Sequence, residues 1–160
     1  MHQPKLRKEG QGQKNSSPDW KQLGAANWNS WIGVYTPGKI ELSAKAARTG
    51  NAGVLFTGCQ AATVNYVFPV KPGERYRAAA RFKGTGGNIS VQFKDAQNKW
   101  LHKSSFVKGT VPPSPGAFRE KALTFTVPPK AARCVALFGA RDQKPGETLA
   151  VDDVSVTRFE

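Results

Sequence analysis

The segment Glu74-Arg75-Tyr76-Arg77-Ala78-Ala79-Ala80-Arg81-Phe82-Lys83 follows a Pro72-Gly73 turn and decides the fold. Side chains on a strand alternate faces with period 2. One face therefore collects Tyr76, Ala78, Ala80 and Phe82, which are made to pack. The other collects Arg75, Arg77, Ala79, Arg81 and Lys83, which are made to stay wet and positive. A helix would scatter the arginines around its circumference, so the strand reading is preferred. The segment predicts a half-buried antiparallel sheet with a basic outer surface.

Outward from that strand the same alternation recurs. Lys39 to Ala46 sets Ile40, Leu42 and Ala44 against Glu41, Ser43 and Lys45. Val54-Leu55-Phe56 is a short apolar strand. Ala62 to Val70 carries Val64, Tyr66 and Phe68 on one face, and Pro69 limits its pairing near the end. Gly84-Thr85-Gly86-Gly87-Asn88 reads as a hairpin loop. Ile89 to Lys94 places Ile89, Val91 and Phe93 inward and Ser90 and Gln92 outward. Trp100 to Gly116 reads as irregular. Ala117 to Val127, Arg133 to Ala140 and Leu149 to Phe159 complete about nine short strands, with no convincing helix. The turn signals point to an all-β fold, a sandwich or a jelly roll.

The chain has 160 residues, one domain's worth. At this size folding buries roughly 68–70% of the extended chain's surface, so one core suffices without metals or disulfides. Residues 1–19, rich in Lys, Gln, Gly, Ser and Asn, read as a basic polar linker or tail, and 20–160 as the sandwich. The net charge is +13. Residues 1–24 hold Lys5, Arg7, Lys8, Lys14 and Lys21 against Glu9 and Asp19, so the remaining +10 belongs to the folded part. Such a surface either serves solubility or meets an anionic polymer. The polar, basic start lacks the apolar core of a secretory signal, and no run approaches a membrane span. Cys59 and Cys134 are compatible with one disulfide or with buried thiols.

Several stretches resemble the carbohydrate-binding modules grouped as families 4, 9 and 22, the galactose-binding-like jelly rolls. Val70-Lys71-Pro72-Gly73-Glu74-Arg75-Tyr76, continued to Phe82-Lys83, is similar to their "V-x-PG-x-x-Y" strand. Ala150-Val151-Asp152-Asp153-Val154-Ser155-Val156 is similar to their closing "DDV" strand. Thr124-Phe125-Thr126-Val127-Pro128 resembles an "F-x-V-P" strand, and Ile89-Ser90-Val91-Gln92-Phe93 the strand that follows the basic one. Trp28-Asn29-Ser30-Trp31 resembles their tryptophan-rich opening. The resemblance covers residues of roughly 27–160. It implies an all-β jelly-roll β-sandwich of two antiparallel sheets, and a non-catalytic appendage of a larger secreted glycoside hydrolase or polysaccharide lyase, extracellular or periplasmic. It also implies a structural Ca2+ held in part by Asp152 and Asp153. The chain departs from the pattern at its start: no Phe-Glu pair precedes Trp28, and Asp19 is the nearest acid.

A pyranose presents a C–H face that stacks on indole, and hydroxyls that take planar polar groups. Trp28, Trp31, Tyr35 and Trp100, in loop-like or polar segments, are the candidate platforms; packing is their alternative role. Arg77 and Arg81, with Gln92 and Asn65, would form one polar strip if the outward side is the concave sheet. That strip would favour acidic or sulfated glycans, since Arg forks onto carboxylate or sulfate. The alternative is a solvated convex face. His2 and His102 are too isolated for a metal centre. No catalytic motif or facing pair of carboxylates supports an enzyme. Two other expectations stand beside sugar binding: a structural accessory domain that only packs on its neighbour, and a basic nucleic-acid binder, which lacks outward aromatics on the basic strand for stacking bases.

Overall fold

The computed structural model describes residues 6–7, 14–15, 28–32, 38–50 and 52–159. Twelve strands run through them: β1 (Leu6–Arg7), β2 (Lys14–Asn15), β3 (Trp28–Ile32), β4 (Lys39–Ser43), β5 (Gly53–Thr57), β6 (Ala61–Pro69), β7 (Arg75–Gly84), β8 (Gly87–Lys94), β9 (Val107–Val111), β10 (Ser114–Thr126), β11 (Arg133–Arg141) and β12 (Thr148–Phe159). They form two sheets. One runs β10-β7-β12-β5-β4, with the short β1 and β2 added along β12; the other runs β3-β6-β11-β8-β9. Apart from the parallel β1–β12 contact, every pairing is antiparallel. The fold is an all-β sandwich.

The basic strand β7 sits between β10 and β12. Tyr76, Ala78, Ala80 and Phe82 are buried, while Arg77, Arg81 and Lys83 reach partly into solvent. Ala79, flanked on the outer face by the longer Arg77 and Arg81, is buried too. Aromatic rings join the two sheets: Tyr66 stacks on Phe68, Phe68 meets Tyr76 edge-on, Tyr76 stacks on Phe125, and Phe125 meets Phe93 edge-on, with centroids 5.5–5.9 Å apart. The turn before β7 explains its motif. Pro72 and Gly73 (φ 87°) occupy the two central positions of a turn closed by Glu74 N–H donating to Lys71 O at 3.2 Å. The Glu74 carboxylate then accepts from Lys71 N–H and the Tyr76 hydroxyl and pairs with Arg158 at 3.0 Å. Burial, then that carboxylate, pushes the Tyr76 hydroxyl well above the usual phenol range.

Three sequence expectations change. Gly84-Thr85-Gly86-Gly87-Asn88 is not a hairpin loop, because β7 and β8 belong to different sheets. The chain crosses between layers there, and Gly84 (φ 125°) lies so close to β12 that a Cβ would meet Thr148 O at 2.2 Å. The stretch Trp100 to Gly116 contains the edge strand β9 and the start of β10. Pro115 and Gly116 fit into β10 because the register shifts between Ser114 and Arg119, on an edge strand. Lys39 to Ala46 is a strand only to Ser43, after which Ala44–Ala46 make a 3₁₀ turn capped by the Ser43 side chain. Cys59 and Cys134 are both buried free thiols. Within the segment read as linker, residues 6–7 and 14–15 pair with β12.

Candidate functional site

Alternation on the five-stranded sheet sends Val64, Tyr66, Phe68, Ile89, Val91, Phe93, Cys134, Ala136 and Phe138 into the core. The opposite parity faces outward, and the strand register lines it up in rows. Trp31 pairs with Thr63, which pairs with Gly139, then Asn88 and Thr110. In the next row Asn65 stands beside Leu137, Ser90 and Lys108. In a third, Val67 stands beside Val135 and Gln92. These rows floor a groove of about 470 Å³, with Trp31, Trp100, Lys108 and Arg141 around it.

Among the described residues, Trp31 and Trp100 are the exposed large apolar side chains, 51% and 53% accessible, and both line this one groove. Trp is rarely left in water without a use. Trp100 is braced: Phe106 meets it edge-on at 6.1 Å and the Lys94 ammonium sits 4.4 Å over its ring. Between the tryptophans lie Leu137 and Val135 with amides and hydroxyls. Thr63 Oγ1 donates to Asn65 Oδ1 at 2.6 Å, which turns the Asn65 amide N–H groups toward other acceptors. Asn88, Ser90 and Gln92 have no side-chain partner among the described residues, so their polar atoms are open to water or a ligand. Flat apolar faces beside unpaired planar and hydroxyl groups can take a molecule that is apolar on its faces and polar at its rim.

Asn65, Gln92, Trp31 and Trp100 thus come together in the groove. Arg77 and Arg81 do not join them, and the strip expected from Arg77 and Arg81 to Gln92 does not exist. β7 and β8 are in different sheets, so the two arginines lie on the opposite outer face. There they share Glu120, at 2.6 Å and 4.0 Å. Trp28 pairs in register with Tyr66, but its side chain lies outside the described residues, as does Tyr35 altogether. His102 is exposed and caps a 3₁₀ turn through Nδ1. Among the polar lining residues, sequence reasoning missed Thr63, Asn88, Ser90, Lys108 and Arg141, Asn88 because it fell in the stretch read as a hairpin loop. Ser90 was legible from the outward parity of its strand. Lys108 lies on the strand that went unseen, and Arg141 lies just past the stretch read as the buried strand.

The paired aspartates form a second polar centre, at the bulge in β12. The register against β7 slips between Asp152 and Ser155, and Asp153 takes a left-handed backbone (φ 50°). Both carboxylates consequently meet the loop before β5. Asp152 Oδ2 accepts from Arg48 N–H and Thr49 N–H at 2.8 and 3.2 Å. Asp153 accepts from the Arg48 guanidinium at 2.6 Å and the Thr49 hydroxyl at 2.5 Å. Burial, with the Asp153 charge as a lesser cause, pushes the Asp152 carboxyl up to about 6 against the pull of these N–H groups. Calcium takes six to eight oxygens. Here the carboxylates are met by donors and by a guanidinium charge, and a single oxygen, Asp152 Oδ1, lacks a partner. No group of three or more His, Cys, Asp or Glu residues that could hold a metal ion occurs among the described residues. This donor set does not fit calcium; Asp19 lies outside the described residues.

No family model and no curated protein matches the chain. Solved structures do. The CBM22-1 xylan-binding domain of Paenibacillus barcinonensis Xyn10C aligns at a TM-score of 0.65 and 11% identity, over 96% of this chain and 98% of that one. The C-terminal family 22 carbohydrate-binding module of Clostridium thermocellum Xyn10B aligns at 0.60 and 14%, over 90% and 91%. The enzymatically active domain of bacteriophage CBA120 tailspike protein 4 aligns at 0.64 and 17%, over 91% of this chain; the chain spans about a fifth of that protein's length, 21%. At these identities what is shared is the fold, the two-sheet all-β sandwich.

Proposed function

We propose that the chain is a non-catalytic carbohydrate-binding module and that the outer face of its five-stranded sheet holds a polysaccharide. The observation that carries this reading is the convergence of Trp31 and Trp100 on one groove. Sugar rings stack on the indoles, while Asn65, Asn88, Ser90 and Gln92 exchange hydrogen bonds with hydroxyls along the chain. The groove's length suits a polymer segment more than a single sugar. The two alignments to carbohydrate-binding modules over nearly the whole chain support the reading. The module would work as the targeting domain of a larger extracellular or periplasmic glycoside hydrolase or polysaccharide lyase.

Affinity gel electrophoresis tests it. Migration is expected to be retarded by at least one member of a panel of neutral and acidic plant, algal and microbial polysaccharides. Retardation is expected to vanish in the double variant Trp31→Ala/Trp100→Ala. Unchanged migration with every polysaccharide would refute sugar binding and leave a domain that only packs on its neighbour.

A further inference from the structure

The two outer faces of the sandwich treat their cations differently. Among the described residues, the ion pairs are Lys39–Glu41, Arg48–Asp153, Arg77–Glu120, Arg81–Glu120 and Arg158–Glu74. All belong to the seven-stranded sheet and its flanking loops, where Arg75 and Lys83 lie over the Phe159 and Phe118 rings instead. On the groove side, Lys108 and Arg141 line the cavity, and among the described residues no carboxylate pairs with them and no Asp or Glu lines it. Lys94 and Arg133 pair in register at the Trp100 end of the same face; Lys94 lies over the Trp100 ring, and among the described residues neither has a carboxylate partner. The nearest described acids lie off the groove. Asp142 and Glu147 line a neighbouring depression that Arg141 also lines, neither of them in an ion pair with it, and Asp95 is occupied by the Gln97 and Lys99 N–H groups.

The register also spaces these charges. Arg133 and Arg141 are eight residues apart on one face of β11, and Lys108 lies level with Leu137, midway between. At ~3.3 Å per residue the charge levels fall roughly 13 Å apart. That is longer than one pyranose, so the pattern suits a chain charged at intervals. A cleft lined by one sign of charge focuses positive potential along its length. An anionic substituent there gains charge-assisted hydrogen bonds, and among the described residues no acid lines the groove to repel it.

We infer that the groove selects an anionic polysaccharide, whose uronate carboxylates or sulfate esters are read by Lys108 and Arg141. This rests on the reading of the groove as a glycan site. It moves anion recognition from Arg77 and Arg81, whose charge Glu120 offsets in part, to the opposite face.

The test compares polygalacturonate, dextran sulfate, neutral xylan and duplex DNA by calorimetric titration of the full chain in about 50 mM and about 500 mM NaCl, which shortens the screening length from roughly 14 Å to 4 Å. We expect polygalacturonate or dextran sulfate to bind at least about tenfold tighter than xylan in low salt and to lose most of that margin in high salt. The two anionic arms separate carboxylate from sulfate recognition. The variant Lys108→Gln/Arg141→Gln, altered at exposed positions and checked for fold by circular dichroism, is expected to lose about tenfold in affinity for the anionic polymer. Arg77→Gln/Arg81→Gln is expected to lose none. Equal, salt-insensitive binding of xylan would overturn the anionic inference and leave glycan binding standing. DNA bound as tightly as polygalacturonate, or affinity lost with Arg77 and Arg81 instead, would also overturn it. No binding of any glycan would remove both readings.

Discussion

Trp31 and Trp100 stand at opposite corners of the same sheet face. Trp31 lies on edge strand β3, in the row of Asn88, while Trp100 bridges to Lys94, six residues farther along β8. The backbone separation is roughly 28 Å from strand spacing and rise. Both indoles are about half exposed, so neither holds the core together. Trp31→Ala and Trp100→Ala are each expected to weaken polysaccharide binding about tenfold, on the order of 1–2 kcal/mol. The melting temperature should stay within a degree or two of wild type. A large fall in melting temperature with unchanged binding would assign the tryptophans to packing.

Arg77 and Glu120 meet at 2.6 Å, but each side chain is 40% exposed. Such a pair contributes little in water. Arg77→Gln is expected to cost less than about 0.5–1 kcal/mol in urea unfolding and to leave glycan binding unchanged.

Asp152 makes stability depend on pH. Its carboxyl is raised from 3.8 to about 6, chiefly by burial. The folded state therefore binds the proton more tightly than the unfolded state does. The sign is that ionisation opposes folding: the penalty is absent below about pH 4, grows through the window to about 6, and is complete above it. Asp152→Asn keeps an oxygen for the Arg48 and Thr49 N–H groups and removes the charge. The variant should melt higher than wild type at pH 7.5 and lose its relative advantage at pH 4. Equal melting curves at both values would show that Asp152 titrates normally.

Arg48 stands where a bound cation would otherwise balance Asp153, whose side chain is 1% exposed. Treatment with a chelator is expected to leave the melting temperature unchanged. Arg48→Met should lower stability by about 2–3 kcal/mol, because it strands a buried carboxylate. A drop of several degrees on chelation, restored by calcium, would mean that an ion and not the guanidinium supplies the charge.

Phe93 lies in the core and meets Phe125 edge-on at 5.9 Å. Phe93→Ala is expected to cost about 3–5 kcal/mol, measured by denaturant unfolding. A cost below 1 kcal/mol would contradict the packing described for the sandwich.

The strand from Arg75 to Lys83 was legible because period 2 depends only on neighbours along the chain. Tyr76 and Phe82 are inside and Arg77 and Arg81 outside, as the alternation requires. What the alternation cannot carry is which strand lies beside which. Consecutive strands pair often but not always. Gly84-Thr85-Gly86 has the composition of a hairpin turn, yet it lifts the chain from one sheet to the other and sends Arg81 and Gln92 to opposite faces. Strand β9 was hidden because it has only five residues between the turn at Lys103–Ser105 and Pro112, too few to establish a pattern. Lys108 then had no face to belong to. The bulge at Asp152 and Asp153 was legible as an irregularity, since adjacent acids on a regular strand point apart. Their partners in the loop at Arg48 and Thr49, more than 100 residues away, were not.

The most direct test of the account is an NMR titration of the nitrogen-15-labelled chain with oligogalacturonate and, separately, with xylan oligosaccharides. The account predicts amide shifts at Asn65, Ser90, Gln92 and Leu137 and at the indole N–H groups of Trp31 and Trp100, with Arg77, Arg81 and Glu120 silent. Shifts confined to Arg77, Arg81 and Glu120, or no shift with either sugar at saturating concentration, would contradict it.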